Sequence, residues 1–88
     1  MHVVVHGGAG SAPETPAARQ TTLSAAADSA SAASTPLEAV RDAVRPLERD
    51  PAFNAGVGGA VQSDGRVRTD AGVMTADGTA GAACGMDD

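Results

Sequence analysis

The part of the sequence with most to offer a ligand is "RPLERDPAFNAGVGGAVQSDG", residues 45 to 65, where the only phenylalanine, Phe53, stands beside Asn54 among glycines. Between Leu47 and Val57 the chain leaves a helical pattern and turns through Pro51 and Gly56. The last carbonyls of a helix have no partner inside it, so several main-chain oxygens can converge in such a loop. Inward-pointing carbonyl oxygens are what a hard cation takes as ligands, and Phe53 is placed to plug the loop against the body of the protein. The plainer reading is an ordinary tight connection, because a glycine-rich loop carries little information of its own.

Other groups offer weaker chemistry. "VVVHGGAGS" runs a β-branched segment into Gly8-Ala9-Gly10, as a dinucleotide-binding turn does, but Pro13 stands where the third glycine of that fingerprint belongs. His2 and His6 are four apart, so they share a face of an extended segment, yet no third ligand accompanies them and they read as structural or solvent-facing. "SDGRVRTDAG" lacks the spacing of a calcium loop, which leaves Asp64 as a turn former. The lone Cys84 cannot form an internal disulfide and reads as a buried small hydrophobe.

The elements that must position these groups are signalled unevenly. "HVVVH", residues 2 to 6, is β-branched and stopped by Gly7 and Gly8, and predicts a strand buried on both faces. Thr15 followed by Pro16 predicts the start of a helix over about 16 to 33, alanine-rich and with Leu23 as its one large apolar residue. "TPLE" at 35 to 38 is a capping box, with Thr35 as cap, Pro36 first in the helix and Glu38 reaching back. Leu37, Val40, Val44 and Leu47 then recur at helical spacing as an apolar stripe, with Glu38, Asp42, Arg41, Arg45 and Arg49 facing solvent and Pro46 expected to kink or loosen the last turn. Beyond the loop, "AVQ", the turn Ser63-Asp64-Gly65, "RVRTDAGVM", Asp77-Gly78 and "GAACGM" predict a hairpin leading to a further strand. The expected fold class is α+β, in the order strand, helix, helix, strands, with helices on one face of a mainly antiparallel sheet. No repeat or linker divides residues 1 to 88, which are read as one unit.

Composition limits what such a unit can be. Of 88 residues 20 are alanine, while Leu, Val and Phe together supply only 13 and isoleucine is missing, so the core is thin. A branched and aromatic share this low points toward disorder, but a net charge of only -5 argues against a purely solvated chain. A compact piece that needs a partner satisfies both. All six cationic side chains are arginine against eleven Asp and Glu, which gives no electrostatic footprint for nucleic acid or an anionic membrane and suits a salt-loving source. No basic opening followed by a long apolar run marks a leader, and no apolar run reaches membrane-spanning length, so the expected location is cytoplasmic.

Taken in order, "VVVHGGAG", "FNAGVG", "SDGRVRTDAGVM" and "GAACGM" resemble successive landmarks of the isoaspartyl peptidase and L-asparaginase family, the plant-type asparaginases among the N-terminal-nucleophile hydrolases. The resemblance covers nearly the whole chain. It implies part of an αββα sandwich, made as a longer precursor that cuts itself before a threonine in a Gly-Thr-Val-Gly-like segment to give two subunits. These residues would then lie in the first half of the amino-terminal α subunit, with the carboxy-terminal β subunit as the missing partner. The resemblance also implies a structural sodium ion held by the main-chain carbonyls of Leu47, Glu48, Asp50, Phe53, Ala55 and Val57, and no organic cofactor. It has Asn54 held toward the catalytic centre, and Gly7 and Gly8 near the self-cleavage site, all in supporting roles.

The chemistry implied for the complete enzyme is threonine acyl transfer. The freed α-amino group acts as base for its own hydroxyl, which attacks the side-chain amide of asparagine or a β-aspartyl peptide bond before water releases aspartate. The nucleophile itself is missing here. Thr79, in "DGTAGAAC", imitates the cleavage sequence, but a cut before it leaves only ten residues, too few for an oxyanion hole and a carboxylate clamp. The chain departs from the family pattern at Thr69, Gly59 and Thr75-Ala76. Ending at "CGMDD" it leaves a sheet surface unpaired, so it is expected to be inactive and partly molten or aggregation-prone by itself. The rival expectation is a non-catalytic module that keeps the cation loop and binds another protein through its open sheet edge.

Overall fold

The structure, a computed structural model, describes residues 1–87. Among the described residues four regular elements follow one another: helix α1 (Pro16–Ser31), helix α2 (Pro36–Arg49), strand β1 (Arg68–Met74) and strand β2 (Ala80–Asp87). The class is α+β, as expected, and the sheet is antiparallel. The order is helix, helix, strand, strand, because residues 2 to 6 do not form a strand. An extended segment becomes a strand only when a ladder satisfies its amides, and residues 2 to 6 have none among the described residues. Val3 and Val5 pack inward while Val4 between them is 93% exposed, so the segment is buried on one side only.

The two helices meet through alanine. Ala26 and Ala30 of α1 are fully buried, and Ala39, Ala43 and Leu47, at i, i+4 and i+8, form the buried face of α2. Val3, Val5 and Ala33 close over Ala30, Ala39 and Ala43. The expected stripe is displaced by about one residue: Leu47 is buried, but Leu37, Val40 and Val44 are 50%, 48% and 43% exposed. Small side chains on both helices permit close approach, and that contact sets the rotation of α2 in place of the larger valines. The valines instead line a shallow groove against Met1 and residues 2 to 5.

The capping box on α2 forms with one shift. Thr35 Oγ1 accepts from the Glu38 N–H at 3.2 Å, while the Glu38 carboxylate reaches the N–H of Ser34, one residue beyond the cap, also at 3.2 Å. The helix continues through Pro46 to Arg49. Helix α1 begins at Pro16 as expected, but Thr15 makes no capping bond, and the helix stops at Ser31.

Two turns of one design organise the remaining chain. At residues 62 to 66 the Gly65 N–H donates to the Gln62 carbonyl, the Gln62 N–H to that of Arg66, and Asp64 Oδ1 accepts from the Arg66 N–H. At residues 75 to 79 the same pattern recurs with Thr75, Asp77, Gly78 and Thr79. The second turn closes the β1–β2 hairpin. The first closes only an isolated bridge between Val61 and Val67, so the expected "AVQ" strand is reduced to that bridge. In the hairpin a bulge lies opposite Asp70, whose Oδ1 accepts from the Gly85 N–H at 2.8 Å.

Among the described residues neither strand touches either helix, which departs from the expected layering of helices on a sheet. The hairpin is consequently exposed on both faces, and Cys84 is exposed on β2 instead of buried, since nothing covers the strand that carries it. The radius of gyration of 14.0 Å, against about 12 Å for a closed domain of this length, reflects the projecting hairpin. Among the described residues no helix is long and apolar enough to cross a membrane.

The turn aspartates predict an acid response. The Arg68 guanidinium and then the Arg66 N–H hold the Asp64 carboxyl below its ordinary 3.8, and the Thr75 hydroxyl and then the Thr79 N–H do the same for Asp77. A depressed folded pKa means that the ionised form supports the turn; the contribution is complete above 3.8 and is lost as pH falls through the lowered folded values. The Arg66 and Thr79 amide resonances are therefore expected to keep their turn shifts down to pH 3.8 and lose them below it. Loss beginning near neutral pH would contradict this.

Candidate functional site

The loop after α2 is held by main-chain bonds and by α1. The Asp50 N–H donates to the Leu47 carbonyl at 3.4 Å, the Phe53 N–H to that of Asp50 at 3.1 Å, and the Val57 N–H to that of Glu48 at 2.9 Å. Asp50 Oδ1 accepts from the Ala52 N–H at 2.9 Å, and its Oδ2 from the Thr22 hydroxyl on α1 at 3.0 Å. Arg19, one turn earlier on α1, donates from Nε to the Ala52 carbonyl at 3.4 Å.

Phe53 sits at the centre of this arrangement, 5% exposed. A Cβ on Gly7 would stand 3.0 Å from Phe53 Cε1 and 3.3 Å from Leu23 Cδ1, so the ring and the leucine clamp the glycine between them. The plug expected for Phe53 is present, and its seat is the Gly7 backbone together with α1.

The loop also crowds its own oxygens. A Cβ on Gly56 would overlap the Glu48 carbonyl oxygen, and one on Gly58 would overlap those of Phe53 and Pro51. Glycine is required at these two positions by close backbone approach. Of the six expected carbonyl ligands, those of Glu48 and Phe53 are thus brought against glycine, with the Pro51 carbonyl, which was not expected, alongside. The Leu47, Glu48 and Asp50 carbonyls each accept one loop hydrogen bond, which leaves each a second lone pair. Leu47 and Phe53 are buried residues, whereas Ala55 and Val57 are exposed. Neutral carbonyl oxygens of this kind fit a hard cation of low charge.

Above Phe53 opens a cavity of about 530 Å³. Its walls bring together residues that are far apart in sequence: the glycine-rich segment from Gly7 to Pro13, the first turns of α1 at Pro16, Arg19, Gln20 and Leu23, and Ala52, Phe53, Asn54 and Gly58 of the loop. Gly7, Gly8 and Asn54, the three supporting residues expected from the sequence, therefore line one space. Arg19, Gln20 and Thr22 were not anticipated. The signal for Arg19 and Thr22 was their spacing of four and one residues before Leu23, which puts all three on neighbouring faces of α1.

Other candidates lie elsewhere. Thr79 ends the second hairpin turn, where its N–H donates to Asp77 Oδ1 at 3.0 Å, and it does not line the cavity. His2 and His6 are exposed, and His6 Nδ1 accepts from the Gly8 N–H at 3.1 Å. Among the described residues no three His, Cys, Asp or Glu side chains gather as metal ligands. Asp64 is the turn former it was expected to be.

A protein-family model described as Asparaginase matches residues 1–87. Comparison with curated proteins gave no match.

Proposed function

Because the chain belongs to the asparaginase family, we propose that it is the amino-terminal part of a threonine-dependent hydrolase acting on the side-chain amide of asparagine or on β-aspartyl peptide bonds. The supporting observation is the single cavity shared by Gly7, Gly8 and Asn54, the residues that the family resemblance assigns next to the reacting centre. In this reading the chain forms part of an αββα sandwich, and the threonine nucleophile is supplied by the carboxy-terminal segment. The residues present here shape and support. Phe53 fixes the height of Asn54 above α1, and the tethers from Thr22 and Arg19 hold the loop in register.

The carbonyls of Leu47, Glu48, Asp50, Phe53, Ala55 and Val57 would hold a sodium ion, whose contribution is to rigidify the loop beneath Asn54. The crowding of carbonyl oxygens against Gly56 and Gly58 supports this. Such an ion takes no part in bond making; it neutralises oxygens that repel one another at short range.

The test is reassembly. Mixed with a separately made carboxy-terminal segment of a family member, the chain is expected to release ammonia from asparagine or aspartate from a β-aspartyl dipeptide, and neither piece alone should do so. Turnover by the 88 residues alone, or none from a mixture that forms a stable complex, would overturn the proposal. A stable inactive complex favours the second reading, a protein-binding module, which the exposure of Leu37, Val40, Val44 and most of the β1–β2 hairpin supports.

A further inference from the structure

We infer that Asp77-Gly78, at the tip of the β1–β2 hairpin, is a site of spontaneous conversion to isoaspartate, and that Arg68 guards Asp64-Gly65 against the same change. The inference stands apart from the hydrolase reading. The nitrogen that follows an aspartate can close a five-membered ring on its Cγ, and a glycine there leaves the approach unobstructed. These are the two Asp-Gly pairs of the chain. All four residues are exposed, both glycines lie in the left-handed region at φ +83° and +86°, and a Cβ on either would meet nothing within 4 Å. In each turn the glycine N–H donates at 2.9 Å to the carbonyl three residues back, Gln62 or Thr75, a bond that must be released before the nitrogen can face Cγ. On backbone grounds Asp64 should react faster, because its turn closes only the Val61–Val67 bridge whereas the turn at Asp77 closes the hairpin. The carboxylates reverse that order.

Both oxygens of Asp64 are occupied. Oδ1 accepts from the Arg66 N–H at 3.1 Å, and Oδ2 lies 2.8 Å from Arg68 Nη2. The guanidinium is itself held, since Nη1 donates to Gln62 Oε1 and Nε lies 3.7 Å from Asp87 Oδ1 on β2. A carboxylate gripped this way stays ionised, and an ionised carboxylate is a poor electrophile with no oxygen free to leave. At Asp77 the arrangement is one-sided. Oδ1 accepts from both the Thr75 hydroxyl and the Thr79 N–H, whereas Oδ2 has no partner among the described residues. A proton can therefore settle on Oδ2 while both bonds to Oδ1 persist. In that neutral acid two donors point at the oxygen on which negative charge develops when a nucleophile adds to Cγ, the arrangement that favours acyl transfer.

The reaction needs no co-reactant but water. The Gly78 nitrogen bonds to Asp77 Cγ and gives up its proton, and Oδ2 takes that proton and departs as water, leaving a cyclic imide. Water then adds to the main-chain carbonyl carbon of Asp77, the bond from that carbon to the Gly78 nitrogen breaks, and the nitrogen regains a proton. The chain now runs through Cγ, with its mass unchanged. The main chain is one carbon longer at the turn and the carboxylate arm one carbon shorter, so the Thr79 N–H loses its acceptor and the hairpin its closure.

Ageing the chain tests this. It is held for weeks at mildly acidic pH, above the range in which the turns are lost, and then cleaved after arginine, which places Asp64 and Asp77 in separate peptides, 50 to 66 and 69 to 88. Electron-transfer fragmentation tells isoaspartate from aspartate at each position. Asp77 is expected to gain isoaspartate about fivefold faster than Asp64, the factor that one net hydrogen bond carries. A parallel sample in urea, where both turns are gone, should show the two pairs reacting alike. Equal rates in the folded chain, or a faster Asp64, would overturn the inference. Two exposed substitutions separate its parts. Thr75→Val removes one donor to Oδ1 and should slow Asp77 about fivefold, whereas Arg68→Gln should speed Asp64 by about the same factor. Faster or unchanged reaction at Asp77 in the first variant would mean that the hydroxyl restrains the carboxylate instead of activating it, and no change at Asp64 in the second would remove Arg68 as its guard; either result sinks the inference.

Discussion

Replacing Phe53 with alanine is expected to detach the loop after α2 from α1 and from the Gly7 backbone. A buried phenylalanine truncated to alanine costs about 3–5 kcal/mol, and a domain of this length has about 4–13 kcal/mol in all. The effect is concentrated because nothing nearby can fill the gap. Gly7 has no side chain, Leu23 is the one large apolar residue on α1, and the remaining buried side chains are alanines and Leu47. Hydrogen exchange reads the outcome directly. The Val57 amide, bonded to the Glu48 carbonyl, should exchange in the variant as in an open chain, while the Ala39 amide at the start of α2, bonded to the Thr35 carbonyl, keeps some protection. Unchanged protection at Val57 would show that the ring does not organise the loop.

The second large effect is expected from Gly58→Ala. A methyl group there overlaps two carbonyl oxygens, those of Phe53 and Pro51, and both belong to a backbone that cannot rotate away as a side chain can. The loop must open or rearrange, with a cost of about 3 kcal/mol or more, in the range reserved for a broken backbone arrangement. If the same oxygens hold sodium, broadening of the sodium NMR line by the protein disappears together with the loop. Gly81→Ala is the matching control. That glycine faces open space on β2, so alanine should leave the loop untouched and stabilise the hairpin by about 0.5 kcal/mol through the unfolded chain. Equal losses from the two substitutions would mean that glycine content in general, and not crowding at Gly58, governs stability.

These two residues also mark what could be read from the sequence. The plug formed by Phe53 followed from its place in a glycine-rich loop just beyond a helix end, and the turns at Asp64 and Asp77 followed from Asp-Gly. The capping box at Thr35 and Glu38 was legible because its partners are local. Thr15 carried only the Thr-Pro half of that signal, with Ala18 where a reciprocal Glu would stand, and it forms no side-chain cap. The failures all involve partners distant in sequence. Residues 2 to 6 have the composition of a strand, but composition cannot supply a ladder. The valine stripe on α2 has helical spacing, but which face turns inward was decided by the alanines of α1. Cys84 was assigned to an interior that the described residues do not build around it. The cavity was half legible: the glycines and Asn54 were named on resemblance, whereas Arg19 entered only when α1 docked beside the loop.

The alanine contact between α1 and α2 has a calorimetric consequence. Alanine has no side-chain torsion to freeze, so the docking of the helices costs little rotational freedom, and it covers so little hydrocarbon that separating them exposes few methyl groups to water. The heat capacity of unfolding scales with newly wetted apolar surface. For this helix pair it is correspondingly small, and its stability curve is flat. Warming should part the helices over a broad span of temperature without a sharp heat-absorption peak, and cooling should do little to loosen them.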